Sequence, residues 1–163
     1  MKKRILSILY SLVVFCSLFI VSANEVKAAD ELVMVDGSYL TMDETSSGTS
    51  SNNLLKGKHL MDGECSITKA GKNRIYVYAA TTANHYVDYV SVIIYVERYN
   101  ETTGKWGQID AWVEKCENDF VASTAKTLTV ENGYYYRVRA DHFAEKAPDP
   151  MEETYSYTDG IWI

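Results

Sequence analysis

The chain has 163 residues, of which 47% are apolar, 23% charged and 12% aromatic, with three cysteines, two prolines and a formal net charge of −6. That length holds one domain of ordinary size, and thirteen tyrosines with three tryptophans exclude a disordered chain. The acidic balance argues against a nucleic-acid partner, and no dinucleotide fingerprint, phosphate loop or paired metal-ligand motif occurs, so no cofactor is expected.

Lys2, Lys3 and Arg4 precede an uncharged apolar run from Ile5 to Val21, and small residues follow at Ser22, Ala23, Ala28 and Ala29. This is the pattern of a secretory signal peptide, with cleavage after Ala23 or after Ala28, the later site being preferred. A retained anchor is the alternative, although the run sits at the lower limit for a membrane span. Cys16 lies inside the apolar run behind bulky Phe15, which does not fit a lipoprotein site. Residues 1–28 carry four basic side chains and one acidic one, so the remainder has 12 basic and 21 acidic groups, a net charge of −9. A secreted product without stable membrane insertion is expected. Cys65 and Cys116 remain, in a compartment where thiols oxidise, and a disulfide between them is expected.

Residues 29–61 read as an extended N-terminal segment. Asp36 to Leu40 is a short extended piece, and the Ser-, Thr- and Asn-rich stretch from Asp43 to Asn53 is a flexible linker. Residues 62–163 then alternate with period two between turn residues. Strands are expected at Cys65–Ala70, Arg74–Ala83, Tyr89–Tyr99, Lys105–Val113, Phe120–Val130, Tyr134–Asp141 and Thr154–Ile163. Trp106, Ile109, Val113 and Cys116 also fit helical spacing. About seven short strands with turns between them point to an all-β, antiparallel sandwich of the immunoglobulin or fibronectin type III kind.

Leu128, Tyr134, Tyr136, Val138 and Ala140 resemble the surroundings of the corner tyrosine in fibronectin type III domains, which would make Tyr134 the corner and put Tyr136, Val138, Val92 and Ile94 in the core. Asp36-Gly37-Ser38-Tyr39-Leu40, Val96-Glu97-Arg98-Tyr99, Lys126 to Val130, Gly133 to Arg139 and Asp159-Gly160 resemble a family of small secreted proteins of Gram-positive bacteria catalogued as a domain of unknown function. That resemblance implies export and one small β domain, and no catalytic residue.

Catalytic chemistry finds little support. Cys65 and Cys116 are the thiols and His59, His85 and His142 the imidazoles, but none stands in a nucleophile signature. Asp141, His142 and Glu145 could be imagined as metal ligands, yet three such residues at a strand end arise readily by chance, and no metal set is expected. A binding module fits better. If the strands beginning at Tyr89, Lys105, Tyr134 and Thr154 share a sheet, its outward face gathers Tyr95, Tyr99, Tyr135, Arg137, Arg139 and Trp162. These residue types anchor interfaces, and an extracellular glycan or protein is the expected partner. Cross-strand stabilisation of the sheet is the plainer use of the same residues. A self-associating surface component and, less in keeping with the motifs, a small hydrolase are the alternatives.

Overall fold

From Arg74 to Asn100 the chain scarcely leaves the strand conformation, because β-branched and aromatic residues recur at alternate positions on both sides of a polar bend. The computed structural model describes residues 32–50 and 57–163. Their elements are all strands: β1 (Met34–Val35), β2 (Ser38–Thr41), β3 (Thr45–Thr49), β4 (Leu60–Lys69), β5 (Arg74–Asn100), β6 (Lys105–Thr129), β7 (Tyr135–Glu145), β8 (Glu152–Tyr157) and β9 (Gly160–Trp162). The expected signal peptide, residues 1–28, lies outside the described residues, as do residues 51–56 of the polar stretch.

Seven strands follow one another across a single mixed sheet in the order β1-β2-β9-β7-β5-β4-β3, with β6 added along β5 and β8 along β7. The sheet curls strongly into a half-barrel, and the cause lies in β5. Its pairing with β6 breaks register between Thr82 and Val87, while its opposite edge is given first to β4 and then to β7. The bend turns the two halves of β5 toward each other. Ile75, Val77 and Ala79 of the first half and Val92, Ile94 and Val96 of the second all lie in one core cluster with Cys65, Ile67, Tyr136, Val138, Ala140 and Ile161. A smaller cluster of Leu60, Ala83, Val87, Val90, Ala122 and Ala144 fills the bend.

The all-β class is as expected. The antiparallel sandwich of seven short strands is replaced by one curled sheet with two very long strands and a parallel pair, β2 with β9. Lys105 to Thr129 is one continuous strand, so Trp106, Ile109, Val113 and Cys116 are not on a helix. The linker expectation also changes. Thr45 to Thr49 form β3, which pairs antiparallel with β4 from Thr68 to Glu64. Small polar residues can serve there because the backbone ladder, not side-chain burial, holds this edge.

Tyr136, Val138, Val92 and Ile94 are core residues as expected. The corner, however, belongs to Tyr136 rather than Tyr134: the Tyr136 hydroxyl donates to the Glu131 carbonyl at 2.7 Å while its ring is buried. Tyr134 is exposed, with the Arg98 guanidinium 4.5 Å from its ring centre. A two-residue shift keeps the side-chain face and moves the hydroxyl to the residue whose ring is inside.

Candidate functional site

The first turn of the described chain sets the geometry of the outward face. Asp36 and Gly37 both have positive φ, 50° and 81°, the two-residue Asp-Gly hairpin turn that joins β1 to β2. The turn delivers Asp36 to Arg137 of β7. Arg137 Nε donates to Glu97 Oε2 at 2.7 Å, Nη2 meets Asp36 Oδ2 at 3.0 Å, and Nη1 donates to the Asp36 carbonyl at 2.9 Å and to Ser38 Oγ at 3.0 Å. The Trp106 ring covers the guanidinium at 4.5 Å, and its indole N–H donates to the Val35 carbonyl at 3.0 Å. Ser38 Oγ in turn donates a hydrogen bond to the Thr158 carbonyl, and Asp159 accepts from the Tyr39 amide. Gly160 lies so close under Trp106 that a side chain there would collide with the indole.

The sequence places Arg137 among the outward residues expected to anchor a partner. It is only 3% exposed and its donors are spent inside the chain, so that role is corrected: it clasps the N-terminal hairpin to the sheet. Residues from four of the five stretches that carry the family resemblance, Asp36-Gly37-Ser38, Glu97, Arg137 and Asp159-Gly160, meet at this clasp.

The other predicted face residues fall into three groups on the same side of β5, β7 and β9. Tyr135 and Trp162 are register partners whose rings meet edge to face, 4.8 Å apart. Tyr99 leans on Trp106 at 5.4 Å and borders a cleft of about 440 Å³ with Arg98, Asn100, Gln108, Ile109 and Tyr134. Arg139 stacks on Tyr95, its register partner, at 4.2 Å from the ring centre.

This last group is the one left open. Arg139 reaches Asp141 Oδ1 at 3.6 Å, and its Nε has no hydrogen-bond partner among the described residues. Burial and the Asp141 carboxylate hold the Tyr95 phenol above its ordinary pKa, so it stays a neutral donor. On the neighbouring strand, Tyr157 is the register partner of Arg139 and Tyr155 of Asp141. Their rings stack at 6.1 Å, and Tyr155 is 55% exposed. Sequence reasoning missed both tyrosines because it ran β8 and β9 together as one strand, which hid their place beside β7.

The chemical candidates resolve differently. Cys65 and Cys116 are free thiols, so the expected disulfide is corrected. Cys65 sits opposite Ala79 in the main core and Cys116 opposite Val90, against the bend cluster, on the two sides of the kink in β5. Burial raises the Cys65 pKa to about 11, which leaves it a protonated and unreactive thiol. Asp141 and His142 are adjacent in β7 and therefore point to opposite faces, which breaks the imagined metal set.

His142 instead completes a closed chain of hydrogen bonds. Thr81 Oγ1 donates to the Ser91 carbonyl at 2.8 Å, so it must accept from His142 Nδ1, also at 2.8 Å. His142 Nε2 then accepts from Ser156 Oγ at 2.8 Å. A serine beside an imidazole is a nucleophile's geometry, but Ser156 is 1% exposed and His142 0%, so no substrate can reach them.

The molecule is thus an all-β unit with one clasped hairpin and an open aromatic and arginine patch on its outer face. The chain belongs to the family described as "Family of unknown function (DUF6147)", whose match covers residues 27–158. No curated protein and no solved structure gives a significant match.

Proposed function

We propose that the chain is a secreted, non-catalytic binding module whose outward face contacts an extracellular glycan or protein. The observation that carries this reading is the Tyr95–Arg139–Tyr155–Tyr157 patch, in which the Arg139 guanidinium stacks on Tyr95 and the half-exposed ring of Tyr155 stands on the neighbouring strand. Rings of this kind offer large, rigid surfaces with polar edges to a protein or a sugar, and the Arg139 side chain, 39% exposed, sets a charged edge beside them. The basic start and apolar run of the first 28 residues support export. The corner hydrogen bond of Tyr136 supports a distant likeness to fibronectin type III domains.

Purified protein recovered from culture medium, immobilised and challenged with cell-wall polymers, host glycans and culture proteins, should retain one of these classes in a saturable way. Retention of none of them would overturn the reading, and turnover of a substrate panel would favour a hydrolase. Self-association is the second reading. It is favoured by β6, which pairs only with β5 along its 25 residues among those described and exposes Ile109, Val113 and Phe120. A concentration-dependent dimer in light scattering would support it.

A further inference from the structure

We propose that His59 Nδ1 and His85 Nε2 form a surface site for a divalent transition metal ion of the zinc, copper or nickel type. The site lies at the mouth of the bend, away from the aromatic patch. His59 immediately precedes β4, and its carbonyl accepts from the Asn84 amide, which brings His85 of β5 alongside. Glu152 at the start of β8 accepts from the amides of Lys58, His59 and Leu60 at 2.7, 2.9 and 2.6 Å, so the backbone carrying His59 is held at three successive points.

The ring itself is oriented from behind. His59 Nε2 lies 2.9 Å from Asp149 Oδ2, and Lys58 holds the same carboxylate. A carboxylate can only accept, so Nε2 carries the proton, and in the neutral ring Nδ1 presents its lone pair. That lone pair faces His85 Nε2 at 3.1 Å. Two nitrogens at this spacing subtend roughly 100° at an ion about 2.0–2.1 Å from each, an ordinary angle for a tetrahedral or square site, reached when the exposed His85 ring turns and the His59 ring tilts so that both lone pairs leave the hydrogen-bond line for the ion. A carboxylate bonded to the far nitrogen of a ligating histidine is the usual support of such a ligand, fixing its tautomer and raising its basicity. Without metal, the His85 Nε2–H fills the gap as a hydrogen bond. With metal, His85 carries its proton on Nδ1 instead.

His59 is buried and His85 exposed, so the ion would lie at the surface with the rest of its coordination open to water or to a donor from a bound molecule. No cluster of three or more His, Cys, Asp or Glu ligands occurs among the described residues, so the pair acts as a two-point chelate. Imidazole nitrogens with open positions suit zinc, copper and nickel rather than calcium or magnesium, which prefer oxygen.

The test is a zinc titration of the metal-free protein, followed by calorimetry and by NMR of the histidine ring nitrogens. One ion should bind, moving the His59 and His85 signals and leaving His142 in place. His85→Gln keeps a donor for His59 Nδ1 but offers no comparable ligand, and it should lower the zinc affinity at least about tenfold with the melting temperature unchanged in chelator. Asp149→Asn should lower it by about tenfold. The proposal is overturned if the wild-type protein binds no zinc, if His85→Gln binds as tightly as wild type, or if zinc shifts only His142. Should His85→Gln fail to fold, the shifts of His59 and His85 in the wild-type titration decide alone.

Discussion

Arg137 concentrates more of the molecule's long-range order than any other polar side chain described above. It is held by Glu97 from β5 and by Asp36 and Ser38 from the hairpin, and Trp106 of β6 lies over it. Removing it leaves Glu97, which is itself largely covered, without a counter-charge. Arg137→Ala should therefore cost about 3–5 kcal/mol in denaturant unfolding. Arg137→Lys, with one ammonium in place of a planar fork, should recover only part of that, because it cannot serve all three partners at once. A loss below about 1 kcal/mol for the alanine variant would mean that the clasp is surface decoration.

His142 gives the residue scale its pH signature. Burial lowers its pKa to about 4, whereas an unfolded chain takes up the proton near 6.5. Protonation therefore favours the unfolded state. The stabilisation is fully present above pH 6.5 and is lost as pH falls toward 4, by up to about 3 kcal/mol. Unfolding curves at pH 7, 5.5 and 4 should show this slope, and His142→Gln should flatten it. The Asp88, Asp149 and Glu152 carboxylates are held below their usual range, chiefly by Lys146 at Asp88, by Lys58 and His59 at Asp149, and by backbone amides at Glu152. Their contribution is lost at still lower pH, so the two effects are separable.

At the scale of elements, the hairpin and the bent ribbon behave differently toward a reader of the sequence. Val90, Val92, Ile94 and Val96, and Tyr136, Val138 and Ala140, announce their inward faces by strict alternation, and all are buried. What alternation could not reveal is that β5 runs through Thr81 to Tyr86 without ending. Those polar residues look like a turn, but Thr81 is consumed by Ser91 and His142 across the bend. The Asp36-Gly37 turn was legible in principle as a hairpin signal, yet its use depends on Arg137, a hundred residues away, and no local pattern encodes that pairing. The free cysteines follow the same logic, since shared redox chemistry says nothing about which side of a kink each thiol occupies. Gly37 offers a test of the hairpin's seat. A methyl group there would lie 2.8 Å from the Tyr157 hydroxyl, at a φ of 81° that favours glycine. Gly37→Ala should cost about 1–3 kcal/mol and loosen β1 in hydrogen exchange before the rest of the sheet. Equal exchange in both proteins would mean that the turn does not anchor the hairpin.

For the whole molecule, the clasp divides the outward face into a part the protein uses on itself and a part it leaves open. Arg137, with Trp106 and the edge of Tyr157 that meets the hairpin turn, belongs to the first, and Arg139, Tyr95 and Tyr155 to the second. From sequence alone the two arginines are equivalent, being neighbours on one face of one strand. Only the arrival of the hairpin distinguishes them. The binding account rests on that distinction, and the most direct measurement is the affinity of the double variant Tyr155→Ser with Arg139→Gln for the partner class retained by the wild-type protein. Both changes lie outside the two core clusters, so the melting temperature should stay within a few degrees while the affinity falls at least about tenfold. Undiminished binding by the folded double variant would contradict the account.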